Sequence, residues 1–346
     1  MERFLQLHLL TSYPPANLNR DDLGRPKTAI MGGKERLRVS SQCLKRTWRT
    51  SDLFQEAVGE HSGQRTKLMG PQLYERLVEG GRTEKQALKA AEAIAKVFGE
   101  VENASKFHKH KQIVHFSPAE WERAFALAET LIEEGRDTTN DDLELLKEEA
   151  AAIDIAMFGR MLAKTPRFNV EAAVQVAHAL TVHQAAVEMD FFTAVDDLNK
   201  GDEDAGSAHM GELEFGAGVF YVYVCIDRKQ LIENLEGNEE LAQRGIKALV
   251  EAAVKMAPSG KQNSFASRAF ANYVWAEKGD GQPRSLSVAF LKPVSGDDYL
   301  SEGIKKLNET ARNMDASYGS VASERYVLNA MAGEGKLDEL LNFAAQ

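Results

Sequence analysis

GVFYVYVCID, residues 218–227, is an almost unbroken run of β-branched and aromatic residues. Side chains of this kind fit a pleated, buried surface, so the run reads as a central strand. Toward the C-terminus, LAQRGIKALVEAAVKMA (241–257) predicts a helix and PSGKQNSFA (258–266) a loop. NYVWAEK (272–278) and SLSVAFLKPV (285–294) read as two further strands, and a helix is expected from about Ser323 onward. Toward the N-terminus, residues 191–218 are rich in Gly, Asp and Ser, and Gly201, Gly206, Gly211, Gly216 and Gly218 predict an extended or mobile element.

Residues 59–188 read as helical. RTEKQALKAAEAIAKVFG (82–99) stops at Gly99. In SPAEWERAFALAETLIEEG (117–135), Ser117 caps the start, Pro118 takes the first position, Glu120 completes a capping box and Gly135 closes the end. NDDLELLKEEAAAIDIAMFGRMLAK (140–164) and NVEAAVQVAHALTVHQAAVE (169–188) give two more helical patterns. At the start of the chain, Leu5, Leu7 and Leu9 alternate with Gln6 and His8 as in a half-buried strand, followed by a long loop over 13–34 and a helix capped by Ser40 or Ser41. This order of elements predicts an α+β fold, a ferredoxin-like or RRM-like sheet interrupted by helices.

The 346 residues suffice for two structural units or one domain with a large insertion. The start MERFLQLHLL lacks a signal-peptide pattern and no run reaches a membrane-spanning length, so a soluble, cytoplasmic protein with no membrane partner is expected. Cys43 and Cys225 stand alone, without a zinc or disulfide pattern. The net charge of −10 argues against nucleic acid, but it is unevenly distributed. Between Arg20 and Arg49, nine basic residues face three acidic ones, a net +6 in thirty residues that leaves −16 for the rest. Such segregation marks one anion-binding face on a repulsive body.

Within that segment, Gln42, Lys45, Arg46 and Arg49 share one side of a helix, while Leu44 and Trp48 form its apolar stripe. Ser40 and Ser41 stand at its N-terminus, where free N–H groups favour phosphate. Gly32 and Gly33 permit close backbone approach, Lys34 adds a cation, and Arg36 and Arg38 alternate outward if extended. Such a cradle holds phosphates and reads no bases. It is not a nucleotide-binding P-loop, because Thr28 replaces the first Gly and Glu35 follows Lys34. Other clusters are weaker. His108, His110 and His115 read as a solvated basic segment with Lys106, Lys109 and Lys111 that could touch a second strand, and His178 and His183 as packing residues. Asp196, Asp197, Asp202, Glu203 and Asp204 suit solvation or a basic neighbour, whereas Asp21 and Asp22 lie in the phosphate loop itself.

The series LNRDD (18–22), AIMGGKERLRVSSQCLKR (29–46), DIAMFGRM (154–161), VAHALTVHQ (176–184), DFFTAVDDL (190–198) and GSAHMGELEFGAGVFY (206–221) resembles the CasC-type backbone subunit of the type I-E CRISPR complex Cascade, in the RAMP superfamily. PSGKQNSFA extends the likeness to about residue 266. The resemblance implies a modified RRM palm (1–58 and 217–346), an inserted helical fingers domain (59–188) and a protruding thumb (189–216). It implies a non-enzymatic subunit without cofactor or metal, stacked with copies of itself as a helical hexamer along the crRNA, kinking that RNA periodically and meeting target DNA and other Cascade subunits. Carried over residue by residue, Arg20, Lys27, Lys34, Ser40, Gln42, Lys45, Arg46 and Arg49 hold phosphate and sugar, Lys261 lies in a second basic loop, and Met161, Phe192 and Thr193 wedge against the kinked nucleotide. One departure stands out: residues 131–155, expected to offer lysines to duplex DNA, carry nine acids against Arg136 and Lys147, leaving KFHKHK (106–111) as the better candidate. The alternative is a metal-dependent ribonuclease like the type III backbone subunits, with Asp21 or Asp22 as the carboxylate.

Overall fold

The computed structural model describes residues 2–102, 109–145, 152–164, 166–194 and 209–346. The chain divides into two units, one of Met1–Leu53, Val176–Ile226 and Ile246–Gln346, the other of Phe54–Gln175 and Asp227–Gly245. The fold is α+β with an antiparallel sheet. Among the described residues the sheet orders as Glu324–Asn329, Tyr273–Gly279, Phe4–Ala16, His209–Asp227, Ala179–Thr181, Lys34–Val39, Thr28–Met31. Phe4 stands opposite Gly279 and Leu10 opposite Tyr273, while Leu180 stands opposite Tyr221.

The opening strand is buried on both faces rather than half-buried, because Gln6 and His8 are as enclosed as Leu5, Leu7 and Leu9. The helix Tyr299–Tyr318, which the sequence reading did not identify, brings Leu307 and Ala311 into one core with Leu10, Tyr221, Tyr223, Trp275 and Phe290. The polar pair survives burial because every group finds a partner. Tyr223 donates its hydroxyl to Gln6 Oε1 at 2.7 Å, and His8 bonds Tyr221 at 2.9 Å and Glu277 at 3.2 Å. Arg284 donates to Glu277 at 2.6 Å and Arg325 at 2.9 Å. Burial pushes the Glu277 carboxyl upward, but the hydrogen bonds from His8 and Arg284 prevail and hold it down at about 2.

In the second unit, Met69–Glu79, Glu84–Phe98 and Pro118–Glu134 bury Leu73, Ile94, Phe98, Trp121 and Leu131 together. The capping box at Ser117 and Glu120 and the left-handed Gly135 form as the sequence predicts. His110 and His115 do not lie in a solvated segment. Both are buried, His115 bonding Asp154 at 2.9 Å, while desolvation drives His110 down to about 4. Lys109 and Lys111 of the same stretch are exposed, with Lys111 paired to Glu100. Lys106 and His108 lie outside the described residues.

Several predicted elements are replaced. Residues 169–188 contain the short strands Val174–Val176 and Ala179–Thr181, not a helix, because the sheet needs a partner between Lys34–Val39 and His209–Asp227. Among the described residues of 140–164 there are a 3-10 turn at Asp141–Leu143 and the helix Ile153–Phe158, which ends at Gly159 with φ +77°. The strand expected at 285–294 is a 3-10 turn, Ser287–Phe290, that drops Leu286 and Phe290 into the core. The final segment first adds the strand Glu324–Asn329, and only then the helix Leu337–Ala345. The long loop over 13–34 is partly strand, since Phe4–Ala16 runs on and Thr28–Met31 pairs with Lys34–Val39.

That last hairpin turns on Gly32 and Gly33, whose φ of +60° and +72° suit a two-residue primed turn between Met31 and Lys34. A Cβ on Gly32 would lie 1.8 Å from the Leu291 carbonyl oxygen, so this glycine lets the turn pack against Leu291. Arg36 does not point outward. It is fully buried and donates to the carbonyls of Thr181 at 2.8 Å, Phe290 at 2.9 Å and, more weakly, His183 at 3.4 Å. Arg38 is half-buried and leans on the Thr28 carbonyl and His178.

Arg36→Ala is expected to lower the unfolding free energy in urea by about 2–4 kcal/mol, because buried carbonyls lose their donor, while Lys34→Ala on the same strand stays within about 0.5 kcal/mol. Gly33→Ala, with open space around it, should cost about 1 kcal/mol of backbone strain. Gly32→Ala should cost clearly more in the same titration, and equal losses would contradict the contact with Leu291.

Candidate nucleic-acid interface

The basic helix is Ser41–Arg49, set by Ser40, whose side chain accepts from the Cys43 amide at 3.3 Å. Leu44 and Trp48 are buried as the spacing predicts, so the opposite side is presented outward. There Gln42 and Arg46 are exposed and Lys45 and Arg49 half-buried, with Arg46 and Arg49 in the last turn where the dipole favours cations. The N-terminal amides are not free as expected. Ser40 gives its N–H to Asn19 Oδ1 at 2.9 Å, and Ser41 gives its own to His178 Nδ1 at 3.3 Å. Burial and the neighbouring Arg38 and Lys27 charges lower the His178 pKa. Ser40 itself is buried as the cap.

The loop before the hairpin is held from within. Asn17 is buried, and its amide donates to the carbonyls of Gly24 and Glu214, each at 2.9 Å. Asp21 accepts from the amides of Leu23 and Arg25 at 2.9 Å and from the Arg25 guanidinium at 3.1 Å. Desolvation works upward on that carboxyl, but the Arg25 and Leu23 hydrogen bonds win and lower it. Arg20 and Asp22 are exposed, and Lys27 is half-buried with its amide on the Asn19 carbonyl. Among the described residues, no three His, Cys, Asp or Glu side chains are grouped so as to hold a metal.

Two further elements meet this loop. Gly260 rests on the backbone of Leu18, whose carbonyl oxygen lies 2.2 Å from where a Cβ would stand, and so brings the exposed Lys261 to the same neighbourhood. Glu188–Ala194 pairs antiparallel with the start of His209–Asp227, from Glu188 opposite Phe215 to Ala194 opposite His209. The Asn17 bond to Glu214 ties that pair to the loop. The Phe192 ring lies over Gly211 and is partly exposed, while Thr193, opposite Met210, is exposed.

The sequence reading missed Phe191, Met189 and Met210, which are more exposed than Phe192, Phe191 at 61%. Strict alternation along DFFTA was the available signal, since it places Phe191 and Phe192 on opposite faces. Asp196, Asp197, Asp202, Glu203 and Asp204 lie outside the described residues. Met161 belongs to the second unit and is 83% exposed. His183 is a packing residue, stacked on Tyr299 with ring centroids 4.0 Å apart.

Cations on the loop, the hairpin tip, the helix and the Lys261 segment, together with an aromatic hairpin, therefore share one unit. The arrangement can hold a chain of phosphates and offer ring faces to bases. No curated protein matches this chain. A chain of a solved "CRISPR RNA-guided surveillance complex, pre-nicking" is 29% identical, with TM-score 0.84, covering 99% of this chain and 100% of that one. A chain of a "CRISPR RNA-guided surveillance complex" is 27% identical, with TM-score 0.62, covering 99% of each. The CT1975-like protein family model matches residues 5–343, nearly the whole length, and the chain therefore belongs to the CT1975-like protein family.

Proposed function

We propose that this protein is the crRNA-binding backbone subunit of a type I-E CRISPR Cascade surveillance complex. It stacks with copies of itself along the guide as a helical hexamer, holds the RNA by its phosphates and kinks it for recognition of target DNA, and it catalyses nothing itself. The observation that carries the proposal is the outward side of Ser41–Arg49, with Arg46 exposed and Lys45 and Arg49 beside it, next to the loops bearing Arg20, Lys27 and Lys261. Likeness over 99% of the chain to subunits of RNA-guided surveillance complexes supports it. In such an assembly base pairing reads sequence and the protein reads backbone shape. Phe192 and Thr193, with the exposed Phe191, supply the wedge that replaces a stacking neighbour at each kink.

The ribonuclease alternative requires a free carboxylate in the phosphate loop. Asp21 is held by Arg25, which leaves Asp22 to carry that reading alone.

Lys27→Ala with Arg46→Ala is expected to weaken single-stranded RNA binding alike for all sequences. The slope of log K against log salt should fall by about 0.7 per residue. Affinity titrations over a salt series measure it, and an unchanged slope would contradict phosphate holding. The purified complex, incubated with magnesium and RNA complementary to its guide, is expected to leave that RNA intact. Regularly spaced fragments that vanish with Asp22→Ala would instead establish the nuclease.

A further inference from the structure

Beside the C-terminal end of the basic helix lies a cleft of about 550 Å³, within the range of roughly 300–1,000 Å³ usual for small-molecule sites. Thr47 and Thr50 of the helix end form one wall, and Ser259 and Gln262 of the Lys261 loop another. Arg268 and Phe270 also line it. None of these was singled out for binding by the sequence.

Three independent features mark the cleft as more than a gap between elements. The Phe270 ring is 62% exposed, although a phenyl group gains from burial. The Gln262 side chain accepts from Ser267 at 3.4 Å, yet its amide nitrogen is buried without a partner. Such an orphan donor is costly and calls for a ligand or a functional explanation. The short helix Gln262–Phe265 is flanked by Lys261 at φ +51° and Ala266 at φ +46°, left-handed conformations that side-chain-bearing residues adopt at a cost. Strain at both ends of the segment, with Gly260 pressed on the Leu18 backbone, holds Gln262 in place before any ligand arrives.

We infer that this cleft is a nucleotide subsite, in which one base of the bound RNA stacks on Phe270 and accepts a hydrogen bond from the Gln262 amide, while Arg268 meets the adjoining phosphate. A nucleobase combines a flat π face with acceptors on its edge, and the cleft combines an open ring with an unsatisfied donor. Arg268 is exposed, as is Lys261 beside Gln262, and the lining also includes Lys255 and one carboxylate, Asp52. A peptide side chain would satisfy the ring but leave the amide and the guanidinium unused. Stacking tolerates any base, so the subsite adds affinity without sequence preference.

The inference rests on the RNA-binding reading above, and its test separates the two. The full-length chain is titrated, at one salt concentration, with a fluorescent single-stranded oligouridine and with the same oligomer lacking its bases. Phe270→Ala is expected to weaken oligouridine binding by about 5- to 100-fold and leave the abasic oligomer unaffected. Gln262→Ala should act in the same direction, Arg46→Ala should weaken both oligomers, and 5-iodouridine in the strand should crosslink to Phe270. A thermal melt checks that each variant is folded. If Phe270→Ala and Gln262→Ala bind both oligomers as the parent does while Arg46→Ala weakens both, the subsite is refuted and RNA binding stands. If the parent binds neither oligomer, the RNA-binding reading fails and the subsite falls with it.

Discussion

The buried guanidinium of Arg36 is the constraint on which the arrangement of the basic face depends. A charge that far from water is expensive unless it is well hydrogen-bonded, and burial pushes this group below its ordinary pKa. Its two terminal nitrogens donate to backbone carbonyls of two separate segments, Thr181 and His183 on one side and Phe290 on the other, while its Nε is buried without a partner. One side chain thus ties the hairpin strand Lys34–Val39 to Ala179–Thr181 and to the 3-10 turn Ser287–Phe290. Gly32 meets Leu291 at the end of that same turn. The strand leads directly into Ser40 and the basic helix, so fixing the strand fixes where Arg46 and Arg49 are presented.

A second buried polar group plays the corresponding part among the strands toward the other end of the sheet. Glu277 gathers His8, Arg284 and Arg325, and Asp315 meets both arginines in turn. The bond between His8 of one strand and Glu277 of the next holds the register of Phe4–Ala16 against Tyr273–Gly279. A one-residue slip of Phe4–Ala16 would carry His8 to the opposite face, away from Glu277. The two networks act on the same sheet, whose order places Phe4–Ala16 between Tyr273–Gly279 and His209–Asp227.

Local signals were legible where local physics decides. GVFYVYVCID lies within the strand His209–Asp227, Leu44 and Trp48 fall on the buried face of their helix, and Ser117 caps with Glu120. What could not be read depends on partners distant in sequence. Residues 169–188 are alanine-rich and helix-like in composition, yet Ala179–Thr181 is drawn into the sheet by Arg38–Val39 on one side and Phe220–Tyr221 on the other. Arg36 and Lys34 stand on the same face of one strand, and nothing in KERLR says which is covered. That is decided by Phe290, some 254 residues away. His178 was similarly hidden, because its role at the helix N-terminus exists only once Ala179–Thr181 lies beside Lys34–Val39.

The structure also changes what the charge of the basic segment means. Of its nine cations, Arg36 is internal, Arg38 is engaged with Thr28 and His178, and Arg25 is matched by Asp21. The exposed cations left are Arg46 on the helix side, Lys34 at the hairpin tip and Arg20 on the loop, joined by Lys261 from far along the chain. A strong field does not require many charges when the rest of the molecule carries −16, since repulsion elsewhere leaves a polyanion one surface to approach. Acidity of the whole and basicity of the face are then parts of one device. In the proposed assembly the acidic body repels RNA from the rest of the surface, and the exposed cations set where its backbone lies.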